Sequence, residues 1–137
     1  MDSTTLRSPI EELTSKSPIC ITKKTPVTEA LSIMKKQNIG CLLVTEEESL
    51  IGVISERDIL NKVVAPEIEL ERYVAEDIMS REVECLFSSD DIAYALNRMH
   101  VGGFRHIPLI NLKKVPTGII SIRDIIRFVN QNLSKSN

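Results

Sequence analysis

The chain has 137 residues and a net charge of -2, and 42% of its residues are hydrophobic. That length suits one compact domain or two small repeats that share a core. The slight acidic excess and the absence of tryptophan argue against a general nucleic-acid binder. The chain shows no apolar run near the roughly 20 residues of a membrane-spanning helix and no signal-peptide core, so we expect a soluble cytoplasmic protein.

The cysteine pattern argues against a disulfide framework. Cys20, Cys41 and Cys85 are odd in number and form no C-x-x-C pair. We interpret them as buried thiols in a reducing compartment.

A duplication runs through almost the whole chain. At an offset of 65 residues, Glu11, Cys20 and Met34 match Glu76, Cys85 and Met99. After a variable loop the offset becomes 66, and segment 52–58 (GVISERD) matches segment 118–124 (GIISIRD). The duplication predicts a first repeat over residues 8–64, a linker over 65–72 and a second repeat over 73–133.

Both repeats predict an opening turn followed by strand, helix, strand, strand and helix. The first repeat's predicted ranges are the turn 10–13, the strands 19–22, 41–45 and 50–55, and the closing helix 56–64. In the second repeat the predicted ranges are the turn 74–79, the strands 83–87, 105–110 and 117–121, and the closing helix 122–133. Residues 1–8 and 134–137 are predicted to be poorly ordered chain ends.

The first long helix of each repeat is amphipathic. Thr25 is the predicted N-cap in the first repeat, with Pro26 at the first helical position, and Asp90 or Asp91 is the predicted cap in the second. Gly or Asn is expected to end each helix. The apolar stripes predict core packing and consist of Val27, Ala30, Leu31 and Met34, and of Ile92, Ala95, Leu96 and Met99.

The repeated motif places a serine where a buried strand turns into a helix. Ser55 and Ser121 are the predicted caps, with Asp58 and Asp124 three residues later. One interpretation is a capping box that stabilises each helix by about 1 kcal/mol. The other is that a carboxylate and a hydroxyl stand at a helix N-terminus, where unpaired N–H groups suit a phosphate.

With these motifs the chain resembles a tandem pair of CBS domains, a unit also called a Bateman module. The resemblance covers about residues 8–132. It is carried by the two G-h-h-S-x-R-D stretches, by the Glu76-Asp77-Ile78-Met79-Ser80 turn and by Arg105-His106-Ile107-Pro108-Leu109.

The resemblance implies an α/β (α+β) fold of two β-α-β-β-α repeats that pack through their sheets about a pseudo-twofold axis. Clefts between such repeats bind adenosine-containing ligands in many members, including AMP, ADP, ATP and S-adenosylmethionine. Such modules commonly dimerise and act as sensors for enzymes or channels. Here the resemblance implies a homodimer that regulates an unidentified enzyme or transporter, as a separate chain.

By the same resemblance, Asp124 and Asp58 accept hydrogen bonds from ribose hydroxyls, and Ser121 and Ser55 lie near the ribose and phosphate. Glu56 adds a second negative charge beside Asp58, which weakens that prediction. The alternative role of each residue is helix capping alone.

Basic residues are the predicted phosphate ligands. Arg105 and His106 begin a strand whose remainder is apolar. At the equivalent positions the first repeat has Gly40 and Cys41, which carry no positive charge. Arg123 and Arg57 follow the motif serines closely and are weaker candidates. The alternative role of the arginines is to pair with acidic residues on the surface. The alternative for His106 is a partly buried side chain whose hydrogen bonds are satisfied within the protein.

The resemblance also implies an apolar slot for the base. The slot residues are Ser15, Ile19 and Ile39 for the Asp124 cleft, and Ser80, Val83 and Phe104 for the Asp58 cleft. For each of these residues taken alone, core packing is the simpler interpretation.

The main prediction is therefore a non-enzymatic module that binds AMP, ADP or ATP and needs no other cofactor. A purely structural dimerisation module and an S-adenosylmethionine sensor are the alternatives. No metal site is predicted, because His100 and His106 are the only histidines and have no acid or cysteine at ligand spacing. A Cys85–His106 catalytic pair is imaginable, but Cys85 matches Cys20 in the duplication, which favours packing roles for both.

Overall fold

The secondary structure largely follows the predicted order. The computed structural model describes residues 3–13 and 16–135. Its helices are α1 (Ser3–Leu6), α2 (Val27–Gln37), α3 (Glu56–Ile59), α4 (Ala75–Ile78), α5 (Ile92–Gly102) and α6 (Ile122–Lys135). Its strands are β1 (Cys20–Thr22), β2 (Cys41–Glu46), β3 (Ser49–Ser55), β4 (His106–Ile110) and β5 (Pro116–Ser121). The structure also has 3-10 turns at Ile10–Glu12 and Leu70–Arg72 and a π-helical turn at Leu60–Val64.

The chain divides into two compact units that do not follow the sequence repeats. One unit spans Pro18–Val83 and contains the motif 52–58, so we call it the first-motif unit. The second-motif unit combines Met1–Ser17 with Glu84–Asn137 and contains the other motif. The turn that opens each repeat is therefore part of the unit that holds the other repeat's strands.

Backbone hydrogen bonds hold these opening turns in place. In the second-motif unit, the N–H of Ile10 donates to the carbonyl of Asp90 at 2.8 Å. In the first-motif unit, the N–H of Ala75 donates to the carbonyl of Thr25 at 2.8 Å. Each opening turn consequently packs beside the N-terminus of the long helix of its unit.

Each unit is built on a small sheet. In the first-motif unit the strand order is β1-β2-β3, with β1 parallel to β2 and β2 antiparallel to β3. Helix α2 makes the crossover that a parallel pair requires. In the second-motif unit β4 and β5 pair in antiparallel register, with Ile107 opposite Ile120.

The predicted strand 83–87 is wrong as an extended strand. Among the described residues of this segment, only Leu86 makes a bridge, and it pairs in parallel with β4. In the first-motif unit, by contrast, the N–H of Leu43 donates to the carbonyl of Ile19 at 3.1 Å. The residue equivalent to Leu43 is Pro108, which has no N–H to donate, so the matching bond cannot form.

One of the two predicted helix caps is wrong. Pro26, not Thr25, occupies the N-cap position of α2, and the Thr25 hydroxyl instead accepts a bond from the N–H of Thr22 at 3.1 Å. In α5 the cap is Asp91, whose side chain accepts a hydrogen bond from the N–H of Tyr94 at 2.7 Å.

The predicted helix ends are confirmed. Asn38 follows α2 with φ 52°, and Gly103 follows α5 with φ 69°. Both residues adopt the left-handed conformation that commonly closes a helix, and Gly and Asn reach it at the lowest cost.

The prediction of loose chain ends is wrong for the described residues. Residues Ser3–Leu6 form α1, and α6 continues to Lys135, two residues beyond its predicted end. No Gly or Pro interrupts α6 near its C-terminus, and the side chain of Asn132 donates to the carbonyl of Phe128 at 2.8 Å. Nothing in that stretch breaks the helix.

The two closing helices differ, although they are equivalent by sequence. In the first-motif unit α3 is four residues long and passes into the π-helical turn. The N–H of Ala65 donates to the carbonyl of Leu60 at 2.9 Å, which is the i to i-5 spacing of a π turn. In the second-motif unit α6 is an α-helix of 14 residues.

Each unit has its own hydrophobic core, and both predicted apolar stripes face a core. The first-motif core includes Val27, Ala30, Met34, Leu42, Ile54 and Ile78. The second-motif core includes Ile10, Ile92, Ala95, Met99, Ile107 and Ile120.

The interpretation of all three cysteines as buried thiols is only partly right. Cys41 is buried, and this burial, with a smaller contribution from the charge of Asp58, raises the pKa of its thiol to about 12. Cys85 is half-buried, and Cys20 is exposed. Cys20 is exposed because side chains alternate along β1 and the neighbouring Ile21 takes the buried position.

Candidate functional site

The motif of each unit forms a capping box at the end of a strand. At the end of β3 the backbone N–H and the hydroxyl of Ser55 donate to Oδ2 of Asp58, at 2.9 and 3.0 Å. In return, the N–H of Asp58 donates to the Ser55 hydroxyl at 3.3 Å. The predicted Ser55 cap is thereby confirmed.

The second motif repeats this geometry. The N–H and the hydroxyl of Ser121 donate to Oδ2 of Asp124 at 2.7 and 3.1 Å, and the N–H of Asp124 donates back to the hydroxyl at 3.3 Å. The predicted Ser121 cap is confirmed as well. Only 5% of Asp58 and 8% of Asp124 is exposed, so both carboxylates need such partners.

The second oxygen of Asp58 is held by residues from outside the motif. The hydroxyl of Ser80 donates to Oδ1 at 2.6 Å, and Nζ of Lys62 lies 3.0 Å from the same oxygen. Among the described residues Asp58 therefore meets four donors, two on each oxygen.

Ser80 reaches Asp58 because the segment after α4 crosses strand β3. Val53 and Ser80 exchange two backbone hydrogen bonds, of 3.0 and 2.8 Å. Gly52 permits this approach, since a Cβ atom there would lie 2.7 Å from the sulfur of Met79. The glycine of the motif thus serves close packing.

Lys62 joins three parts of the first-motif unit. It stands in the π-helical turn, and its ammonium donates to the carbonyls of Ile78 and Met79 at 3.0 and 3.3 Å, besides pairing with Asp58. A cation placed on the free carbonyls at the end of α4 is favourable. We call the set Ser55, Asp58, Lys62 and Ser80 the Asp58 network.

The second oxygen of Asp124 has a weaker described partner. The guanidinium of Arg127 lies 3.4 Å from Oδ1, and the Arg127 side chain is 56% exposed. The residue equivalent to Lys62 in the duplication is Phe128, which packs against the second-motif core. The two motifs therefore share one cap geometry and differ in what surrounds the second carboxylate oxygen.

The partners of Asp58 determine the direction of its pKa shift. Burial alone would raise the pKa of Asp58, but hydrogen bonds from Ser80, Ser55 and Lys62 outweigh burial and lower that pKa below its ordinary value. Asp58 is consequently an anion at neutral pH that is already neutralised by Lys62.

The basic candidates of the second repeat lie next to its motif. His106 stands directly across the sheet from Ser121, and the carbonyl of Arg105 accepts the N–H of Ile122 at 2.9 Å. Arg105 is exposed and His106 half-buried. Arg123 is exposed in the first turn of α6. The structure thus brings these predicted residues to one corner of the second-motif unit.

In the first-motif unit the same corner carries less positive charge. Cys41 lies across from Ser55, and the carbonyl of Gly40 accepts the N–H of Glu56 at 3.2 Å. Arg57 is exposed in α3. This corner therefore lacks an arginine and a histidine at the positions where the second repeat has both.

The predicted base-slot residues fall in both units. Ile19, Ile39 and Val83 are half-buried in the first-motif unit, where the two isoleucines pack against its core. Phe104 is half-buried against the second-motif core. Ser15 lies outside the described residues. Of the five slot residues that the structure describes, Ser80 is the one that it places in hydrogen-bond contact with its predicted aspartate.

Two residues of these sites did not emerge from the sequence, namely Lys62 and Arg127. A signal for Lys62 was present, because a lysine four residues after Asp58 shares its helix face. Its contacts with the end of α4 depend on tertiary structure and leave no mark in the local sequence.

The described residues give little indication of a nucleophilic cysteine, a metal site or a membrane-spanning helix. Burial raises the pKa of the Cys85 thiol, which is the opposite of what activates a nucleophile. Within residues 3–13 and 16–135, no three His, Cys, Asp or Glu side chains cluster as metal ligands would. No helix in that part of the chain has the length and apolar character to cross a membrane.

Comparison with known proteins gives a consistent family assignment. The family model of the CBS domain matches residues 10–65 and again residues 74–131. An uncharacterized 17.7 kDa protein of Acidianus ambivalens is 34% identical over 104 residues, which are 74% of this chain and 60% of that protein. The chain thus spans less than two thirds of this relative's length.

Solved structures show the same fold. The CBS domain pair of protein MJ0100, in complex with 5′-methylthioadenosine and S-adenosyl-L-methionine, superimposes with a TM-score of 0.81 at 23% identity, covering 91% of this chain and 98% of that one. A CBS domain protein from Pyrobaculum aerophilum complexed with AMP gives a TM-score of 0.78 at 22% identity, with 90% and 99% coverage. The predicted α/β fold class is confirmed.

Proposed function

Because this chain belongs to the CBS domain family, we propose that it is a regulatory module that binds an adenosine-containing nucleotide and signals its occupancy to a partner protein. The structures of two fold relatives have been solved in complex with adenosine-containing ligands, which supports this ligand class. A ligand that binds one arrangement of the module better than another shifts the population towards that arrangement. A regulated enzyme or transporter would respond to the shift.

We assign the ribose to Asp124. This carboxylate is buried, and Oδ1 meets only a long contact from Arg127 among the described residues. Two vicinal hydroxyls of a ribose are suitable donors for such a carboxylate, and bonds to a charged group contribute about 1.5–3 kcal/mol each. Ser121 has its hydroxyl in the cap and lies beside this position.

The charge around Asp124 favours a phosphorylated ligand. Arg105, Arg123 and Arg127 stand near the motif against the single carboxylate of Asp124. Arginine binds phosphate oxygens well, because its planar fork donates two bonds at once. S-adenosylmethionine carries a positive sulfonium and would lack this advantage. The observation that supports the proposal is a buried carboxylate, Asp124, at a corner of the second-motif unit whose neighbouring segments contain three arginines.

Calorimetric titration tests this function. The wild-type protein is titrated with AMP, ADP, ATP, S-adenosylmethionine and 5′-methylthioadenosine, and we expect the phosphorylated ligands to bind more tightly. Asp124→Asn should weaken AMP binding by about ten- to a hundredfold, which corresponds to about one charged hydrogen bond. Lack of binding of every ligand at millimolar concentration would refute the proposal.

We further propose that the protein works as a homodimer. The outer helices of the second-motif unit carry large apolar side chains in solvent, and Val101 and Ile126 are 63% and 53% exposed. A shallow groove of about 390 Å³ runs along α6 and is lined by Arg123, Ile126, Arg127, Asn130 and Gln131. Exposed apolar patches of this kind often mark association surfaces. Light scattering of the wild type and of Ile126→Glu tests this, with a monomeric variant expected.

A further inference from the structure

We infer that this module binds one nucleotide per chain, at Asp124, and that Asp58 is a structural anchor rather than a second binding residue. The inference depends on the proposed function and adds which of the two equivalent motifs performs it. The duplication makes Asp58 and Asp124 equivalent in sequence, but their carboxylates have different hydrogen-bond partners in the structure.

The first argument is that Asp58 has no acceptor capacity left. A carboxylate offers about four lone-pair sites. Ser55 fills two of them through Oδ2, and Ser80 and Lys62 fill the other two through Oδ1. A ribose could bind only by displacing one of these donors.

The second argument is that Lys62 is costly to displace. Its ammonium donates to two backbone carbonyls, of Ile78 and Met79, in addition to Asp58. Moving Lys62 away would leave the buried carboxylate of Asp58 without its cation, and a buried charge without a partner is unfavourable, although the Lys62 side chain itself is 40% exposed. The Asp58 network also ties the π-helical turn to α4.

The third argument concerns the charge that a phosphate would meet. Within residues 40–41 and 55–62, Arg57 and Lys62 are balanced by Glu56 and Asp58. The equivalent residues 105–106 and 121–128 contain Arg105, Arg123 and Arg127 against Asp124 alone, when histidine is counted as uncharged. The first motif is thus neutral and the second has a net charge of +2, so an anion favours the second.

The fourth argument is that the second motif has no equivalent anchor. Phe128 stands where the first motif has Lys62. The contact that Arg127 makes is 3.4 Å long, and more than half of the Arg127 side chain is exposed. Arg127 can turn to a phosphate because the ribose hydroxyls would then donate to Oδ1 of Asp124 in its place.

Titration of wild-type protein with AMP, with protein concentration fixed by absorbance after denaturation, measures the stoichiometry directly. We expect one AMP per chain, loss of most affinity in Asp124→Asn, and an affinity within about threefold of wild type in Asp58→Asn, since no ligand bond is lost. Two sites per chain, or loss of AMP binding in Asp58→Asn with retention in Asp124→Asn, would overturn the inference and leave the proposed function intact. A wild type that binds none of the ligands would refute both.

Lys62→Met provides a second test, because Asp58→Asn could unfold the first-motif unit. We expect Lys62→Met to lower the thermal midpoint and to leave the AMP stoichiometry and affinity unchanged. A loss of AMP affinity of about tenfold or more in a folded Lys62→Met protein would identify Lys62 as a phosphate ligand and overturn its role as an anchor. Circular dichroism spectra and melting curves establish the folded state of each variant.

Discussion

The hydroxyl of Ser80 donates a hydrogen bond of 2.6 Å to Oδ1 of Asp58, although the two residues stand 22 positions apart in the chain. The bond joins the segment after α4 to the first turn of α3. It exists because Val53 and Ser80 pair their backbones and bring that segment across β3. The motif aspartate is therefore part of the tertiary structure of its unit as well as of a helix cap.

Removing the Ser80 hydroxyl should destabilise the first-motif unit. Ser80→Ala leaves one acceptor site of a buried carboxylate unfilled, and we expect a loss of about 1–2 kcal/mol in the free energy of unfolding. Urea denaturation measures it. Ser32→Ala, at an exposed position of α2, is the control and should change the free energy by less than about 0.5 kcal/mol. Equal effects of the two substitutions would show that the Ser80 bond does not stabilise the protein.

Asp58 should make stability depend on pH in the acid range. Its folded-state pKa lies below the ordinary value of 3.8, so the unfolded chain takes up the proton more readily than the folded protein. The stabilisation is complete above that ordinary value and is lost as the pH falls through the depressed folded-state pKa.

We expect the difference in unfolding free energy between wild type and Asp58→Asn to shrink on acidification through this range. Denaturation curves recorded at a series of pH values measure the difference. Glu29→Gln, which removes an exposed carboxylate of α2, is the matched control. A difference that stays constant with pH would contradict the assignment of a depressed pKa to Asp58.

Gly52→Ala should disturb the crossing of β3 by the segment after α4. The added Cβ would lie 2.7 Å from the sulfur of Met79 and 3.0 Å from the carbonyl of Ser80. We expect a destabilisation of about 1–3 kcal/mol, as is usual for overpacking. In a double-mutant cycle, Met79→Ala should offset part of this loss by removing the nearer contact. Strict additivity would show that Met79 is not the source of the clash.

The hairpin between β2 and β3 contains backbone strain that substitution can relieve. Glu47 and Glu48 form its two-residue turn, with φ of 50° and 70°. Asn-Gly is the favoured pair for such a turn, since both residues tolerate positive φ. We expect Glu47→Asn with Glu48→Gly to raise stability by about 1–2 kcal/mol, observed as a higher thermal midpoint. Glu47→Gln with Glu48→Gln removes the same charges, and an equal gain there would attribute the effect to charge.

Much of the fold could be predicted from local signals. The duplicated motif, the two apolar helix stripes and the left-handed residues Asn38 and Gly103 each depend on a few neighbouring positions. Both serine caps could be predicted in the same way, because a capping residue forms its hydrogen bonds within the first turn of its own helix. The strand predicted at 83–87 did not form, and the reason is not local. The backbone N–H that would have paired with it is absent at Pro108, which lies on a different strand.

The sequence alone determined that the chain is a duplication, that each half turns from a strand into a helix at a serine, and that an aspartate three residues later closes the cap. These features are local, so residue type and spacing suffice to specify them. Only the tertiary structure decided that Ser80 meets Asp58 and fills its second carboxylate oxygen. Asp58 receives the Ser80 hydroxyl because the opening turn of the second repeat packs in the first-motif unit, and partners 22 positions apart are brought together by packing, which local spacing does not encode.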